Sequence, residues 1–254
     1  MRYRGCRYSG WASLGVAAIL AGILQAACQT GLVKPSVVIA PTDMMVSLWQ
    51  ILHSGDDTHA ILLTLGNVAA AAAIATVGGF VSGLIIHAIP VLRRGIEPYL
   101  ASYYAVPTII FYPVFIVILG VGSAPIIAIA VLLAIIAMIT ATLNGLDSIP
   151  RVYSKTSRVL RLSPLQHAMH VQLPAAAPYL FTGARLTVAY AFIGVIASEF
   201  ILSGDGLGYA IAYAYNNFEN RTMYGLMLLI IIVVTVVNTT LDVLDRRLQA
   251  RRRR

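Results

Sequence analysis

The chain has 254 residues, is 59% hydrophobic and only 11% charged, and has a mean hydropathy of +0.81. Soluble domains run at about 45–50% apolar and about 25% charged, so a soluble globule, a disordered chain and a collagen-like fibre are all excluded. The net charge of +8 would suggest nucleic acid in a soluble protein, but here the basic residues gather at the two ends and in two loops. That pattern marks one side of a membrane, and no nucleic-acid partner is expected.

Six long apolar runs follow in chain order, at about residues 11–33, 61–89, 100–119, 125–143, 179–202 and 224–241. Each reaches or exceeds the ~17–25 residues a helix needs to cross a bilayer. Helices are expected because backbone groups in lipid must be satisfied within the segment. The alternating segments of a membrane barrel, about ten residues each, are absent. The reading is an all-α integral membrane protein, one domain over 1–254.

The first run follows Arg2, Arg4 and Arg7. Its basic start and the small residues Ala26 and Ala27 fit a cleaved leader. Its apolar stretch, however, is longer than a leader's core and continues past that point, so it is read as a retained span. Cys6 and Cys28 are the two cysteines. Two cannot build a disulfide framework or a zinc site, and both are read as unpaired thiols. In the second run Gly79 and Gly83 form a small-xxx-small face for close helix packing. Arg93 and Arg94 follow it. Pro107 and Pro113 fall inside the third run, where each removes a helical hydrogen bond and kinks or breaks the helix. Irregular backbone at that depth must be buried in protein or face water, so both prolines point to the pathway.

After the fourth run comes the longest loop, about 144–178, with Arg151, Lys155, Arg158 and Arg161. Val152, Val159, Leu160, Leu162 and Leu165 recur near helical spacing among polar residues. Pro164 and Pro174 are expected to break the loop into one or two short amphipathic helices. The fifth run carries two charges, Arg185 and Glu199. Charges inside spans are costly and are functional candidates by default. Fourteen residues apart, they are separated by roughly 21 Å of helix and cannot pair with each other. Arg185, near the inner end, can snorkel. Glu199 either orders the outer loop that follows it, lines the pathway, or bonds a neighbouring helix. The C-terminal tail holds six arginines, Arg246, Arg247 and Arg251 to Arg254.

Orientation follows from Lys and Arg. Six spans with both termini inside put every basic cluster on the cytoplasmic face. The other face keeps only Lys34 and Arg221 among basic residues, beside Asp43, Asp56, Asp57, Asp205 and Glu219. His167 and His170 share a helix face, but no carboxylate or Cys completes a metal set, so no metal site is expected. No phosphate-binding loop, nucleophile elbow or paired catalytic carboxylate occurs, so no catalytic residue is assigned.

The loop and the helix after it carry the most specific pattern. Leu173-Pro174 closes the stretch that begins Lys155-Thr156-Ser157 and passes through Arg161. Thr182-Gly183-Ala-Arg185, Ile193-Gly194-Val-Ile-Ala-Ser-Glu199 and Gly206-Leu207-Gly208-Tyr209 follow. Upstream stand Pro35-Ser36, Ala40-Pro41, Thr64-Leu65, Glu97-Pro98, Val106-Pro107, Pro113 and Leu119-Gly120-Val-Gly122. The series resembles the permease subunits of binding-protein-dependent ABC importers, in particular the nitrate/sulfonate/taurine type. That family's loop reads Glu-Ala-Ala, three residues, Gly, then Leu-Pro about a dozen residues on. Leu173 and Pro174 match. Lys155, Thr156, Ser157 and Arg161 occupy the other positions and depart from the pattern.

The resemblance implies a type I importer permease with a cytoplasmic coupling helix between spans 4 and 5. It implies a bacterial inner-membrane location and transport of a small solute, an anion such as nitrate or a sulfonate, or a small metabolite. It further implies two ATPase subunits, a second permease copy (a homodimer is expected) and an extracytoplasmic binding protein. No cofactor is expected in this chain; ATP and Mg belong to the ATPase. In the coupling loop, Leu160, Leu162 and Leu165 would give the apolar contact, and Lys155, Arg158 and Arg161 the charged rim. A secondary transporter or channel without an ATPase is the reading of a different class. Such proteins often show internal repeats and midplane acids, and neither is visible.

Overall fold

The computed structural model describes residues 8–30 and 38–252. Arg2, Arg4, Arg7, Cys6, Lys34, Pro35-Ser36, Arg253 and Arg254 lie outside the described residues, as do the side chains of Arg151, Arg158 and the other tail arginines. Among the described residues the chain is helical throughout: α1 (Tyr8–Gln29), α2 (Pro41–Ser54), α3 (Thr58–Ala88), α4 (Pro90–Ser102), α5 (Tyr112–Leu119), α6 (Ser123–Asp147), α7 (Arg151–Val159), α8 (Pro164–His167), α9 (Leu173–Leu202), α10 (Leu207–Asn216) and α11 (Asn220–Arg252). Four helical stretches are long and apolar enough to cross a membrane: Thr58–Ala88, Ser123–Asp147, Leu165–Leu202 and Asn220–Val243. Ile19–Gln29 and Thr108–Leu119 are shorter apolar helical stretches.

The chain divides into two compact units. The first contains the described part of Met1–His59 together with Ala210–Ile232. In it, Gln25 of α1 clasps the start of α2, accepting from the Thr42 backbone N–H at 3.3 Å and donating to Thr42 Oγ1 at 3.2 Å. Pro41 opens α2, where its missing N–H costs nothing. Ser47 Oγ donates to the Arg221 carbonyl at 2.7 Å, and a Cβ on Gly225 would sit 2.7 Å from that hydroxyl. Backbone contact, not side-chain bulk, sets this approach.

The second unit, Ala60–Tyr209 with Val233–Arg254, is built on α3, α6 and α9. Lipid tails are as apolar as Leu, so burial alone gives spans little reason to associate; close packing of small residues does. A Cβ at Gly79 would lie 2.7 Å from Met138 Cβ, one at Gly83 2.7 Å from Thr142 Cβ, and one at Gly194 2.7 Å from Ala130 Cα. Gly183 faces Ala141 more closely still. Val68, Ala71, Ala75, Ala130, Ala134, Ala191 and Val195 fill the space between these contacts. A second cluster joins Ile86 of α3 and Ile136, Ile139 and Leu143 of α6 to Leu92 and Ile96 of α4. At its edge the Arg93 fork grips the Asp147 carboxylate, with Nη1 2.7 Å from Oδ1 and Nη2 on Oδ2, and His87 Nδ1 lies 3.5 Å from Oδ1.

The third apolar run is not one helix. α4 ends at Ser102, 3₁₀ turns cover Tyr103–Ala105 and Thr108–Phe111, and α5 begins at Tyr112. Val106, held extended by the proline after it (ψ 117°), breaks the chain between the turns. Pro113 falls in the first turn of α5, where a proline starts a helix instead of breaking one.

Candidate functional site

The loop between α6 and α9 folds as two linked pieces. α7 ends in a Schellman turn: Arg161 takes the left-handed conformation (φ 52°), and the Leu162 N–H reaches back to the Ser157 carbonyl at 3.0 Å. Arg161 stands where the importer loop pattern has Gly. The backbone there has the conformation that favours Gly, although the side chain has changed. Ser157, on the last of the Glu-Ala-Ala positions, is buried. A capping box then opens α8: the Ser163 N–H donates to Gln166 Oε1 at 2.9 Å, and the Gln166 N–H to Ser163 Oγ at 3.3 Å.

Pro174 does not break the chain as its residue type suggests. α8 passes through a π-turn, Ala168–Gln172, directly into α9. A proline ring in an α-helix collides with the carbonyl four residues earlier, here that of His170; the widened turn that contains His170 makes room for it. Leu160, Leu162 and Leu165 therefore do not share one helix face. Leu160 ends the α7 turn, Leu162 lies half-buried in the link, and Leu165 belongs to α8. What the loop exposes is a broader apolar surface, with Val159 82% and Leu165 72% accessible, joined by Val152, Leu160 and Met169. Lys155 and Arg161 are exposed beside it. Met169 was missed in the sequence because it lies in the π-turn, off the helical spacing.

Glu199 lies at the other end of α9 and is fully enclosed, with 0% of its surface exposed. Its carboxylate accepts from Thr64 Oγ1 at 2.7 Å, Asn67 Nδ2 at 3.1 Å and the Gly208 N–H at 3.2 Å. Thr64 Oγ1 in turn accepts the Leu207 N–H at 2.8 Å. The two side chains thus take the first free N–H groups of α10, and a carboxylate at a helix start also suits the helix dipole. Gly206 (φ 97°) and Gly208 make the approach possible, since a Cβ on either would lie 2.5–2.6 Å from Glu199 or its backbone neighbours. Asn67 carried no sequence signal of its own; it falls one turn from Thr64 on α3.

The other expected positions are dispersed. Arg185 is not a lone charge: its Nη1 lies 2.6 Å from Asp242 Oδ1 of α11. Pro107 and Pro113 are exposed in the broken third run, and Leu173-Pro174 is exposed at the start of α9.

Comparison with known proteins shows the family to which the chain belongs. Residues 75–254 match the family model for the binding-protein-dependent transport system inner membrane component. A nitrate import permease protein, NrtB of Leptolyngbya laminosa, is 27% identical over 235 residues, covering 89% of this chain and 81% of that one. A bicarbonate transport system permease protein, CmpB of a Synechocystis species, is 30% identical over 155 residues, covering 61% and 55%. Among solved structures, an inward-facing form of the MetNI methionine ABC transporter superposes with a TM-score of 0.60 at 24% identity, covering 73% of this chain and 96% of that one. That likeness concerns the fold.

The chain belongs to the family of binding-protein-dependent transport system inner membrane components. It is the permease subunit of an ABC importer, a multi-pass protein of the inner membrane.

Proposed function

We propose that this permease carries a small oxyanion of the nitrate or bicarbonate kind, delivered by an extracytoplasmic binding protein and driven by two ATPase subunits seated on the loop from α7 to α8. The observation that carries the reading is that loop. It exposes Val152, Val159, Leu160, Leu165 and Met169 with Lys155 and Arg161 among them, and its second helix runs on into α9. A water-facing apolar patch of this kind marks a protein contact. The relatives named for nitrate and bicarbonate support the cargo class.

Both termini and the loop face the cytoplasm in this reading, and a second copy of the chain completes the pathway. ATP, with Mg, binds the ATPase subunits. Their closure draws the two coupling segments together and favours the outward-open packing; hydrolysis resets it. The test is co-purification of an ATPase subunit with the tagged chain, followed by ATP-dependent nitrate uptake in liposomes with the binding protein present. A chain that purifies alone and moves solute without ATP would overturn the reading.

A further inference from the structure

A groove of about 410 Å³ runs between α6 and α9. It lies in the half of both helices nearer the α7–α8 loop. Its walls are mostly alanine, proline and Leu186, but five hydroxyl or amide side chains open into it: Thr140 and Asn144, one turn apart on α6, and Tyr179, Thr182 and Tyr190 on α9. Asn144, Tyr179 and Thr182 are exposed on the surface of this chain. Most of the other residues of α6 and α9 are apolar. An exposed amide turned to hydrocarbon would be left without partners at considerable cost, so this face meets water or protein.

We propose that this groove is a transit site for a small planar oxyanion, held by the Asn144 amide and the Tyr179 hydroxyl. The proposal rests on the cargo class argued above and names where in the chain the cargo is held. Mostly apolar walls with a few convergent polar groups are the usual make-up of a small-molecule site. Among the described residues, no ionised side chain lines the groove. With no carboxylate, an anion meets no repulsion. With no cation, it is held by neutral donors alone and leaves readily, as a carrier requires. Thr182 donates to the Pro178 carbonyl at 3.0 Å, so it shapes the wall and leaves donation to Asn144 and Tyr179. Close packing of Gly183 on Ala141 fixes the floor.

The test uses the complete transporter, with its ATPase and binding protein, in liposomes. Asn144→Asp is isosteric but adds a negative charge, and nitrate uptake should fall at least tenfold. Tyr179→Phe should lower uptake about tenfold or more, as loss of one hydrogen bond to a charged group does. ATPase association should remain in both. Independently of transport, T182C in a chain also carrying Cys6→Ser and Cys28→Ser should react with a charged methanethiosulfonate reagent, and millimolar nitrate should slow that reaction at least threefold. Reaction only with an apolar maleimide would place the groove against lipid. Cross-linking to a second copy without reagent access would make it a copy interface. Either result, or wild-type uptake in both variants, overturns the proposal. If the wild-type complex moves neither nitrate nor bicarbonate, the cargo reading itself fails and the oxyanion falls with it; if it moves nitrate and the variants do too, only the groove is misassigned.

Discussion

Thr64 and Glu199 are joined by one hydroxyl that works in both directions: Thr64 Oγ1 donates to the Glu199 carboxylate at 2.7 Å and accepts the Leu207 N–H at 2.8 Å. Removing the carboxylate leaves the Thr64 hydroxyl, the Asn67 amide and the Gly208 N–H unsatisfied in a buried site. Each such orphan costs about 1–3 kcal/mol. Glu199→Ala is expected to lower the melting temperature of the detergent-purified protein sharply, with a loss of about 3–5 kcal/mol. Glu199→Gln keeps one acceptor but turns an amide toward donors. The complex should assemble, and uptake should drop. Wild-type uptake in the Gln variant would reduce Glu199 to packing.

In the loop, the exposed apolar side chains decide the outcome. Val159→Asp or Leu160→Asp would bring a charge into a desolvated contact, at a cost of about 3–5 kcal/mol when no partner is present. Pull-down of the ATPase should fail while the permease stays in the membrane. Lys155→Ala should weaken the contact less and change mainly its salt dependence, because it removes a rim charge. Retention of the ATPase by both Asp variants would show that the ATPase seats elsewhere.

Arg161 offers a test of opposite sign. An L-residue in the left-handed region costs about 1–2 kcal/mol, which Gly avoids. Arg161→Gly should therefore protect the loop from proteolysis by a few fold. Faster cleavage would mean that the guanidinium holds the turn through contacts stronger than the backbone cost.

Arg93 and Asp147 tie α4 to the end of α6, four residues before the loop helix begins. Both side chains are partly exposed, so the pair contributes about 1 kcal/mol or less. Its effect should fall on coupling more than on stability. Arg93→Gln or Asp147→Asn should raise ATP hydrolysis in the absence of binding protein about twofold, with little change in melting temperature. The exchanged pair, Arg93→Asp with Asp147→Arg, should bring it back. Unchanged basal hydrolysis in the single variants would leave the pair without a coupling role.

Topology can be read by single-cysteine labelling from outside intact cells. Positions beside Asp56 and Glu219 should react, and those beside Arg94 and Lys155 should not. The reverse at either pair would invert the orientation.

The long apolar runs were legible because lipid imposes length directly on the sequence. Gly79 and Gly83 were legible for the same reason: at their spacing, only close packing explains two small residues on one face. The Glu199 network was legible as a lone charge, but its partners were not. Thr64 and Asn67 lie more than 130 positions away, and only the tertiary fold brings them to it. Pro174 misled because proline usually ends a helix, and nothing local announces a π-turn that absorbs one. Arg185 read as a snorkelling cation because Asp242 sits just past the last apolar run, where a partner was not sought.

The passage of α8 through the π-turn into α9 makes the α7–α8 loop and the Glu199 clasp two ends of one continuous helical stretch. Leu165–Leu202 is 38 residues, about 57 Å at 1.5 Å per residue. A displacement at the loop end has a continuous helical backbone, with no intervening segment, between it and the Glu199 end. Gly183 and Gly194, pressed on α6, hold that stretch between its two ends.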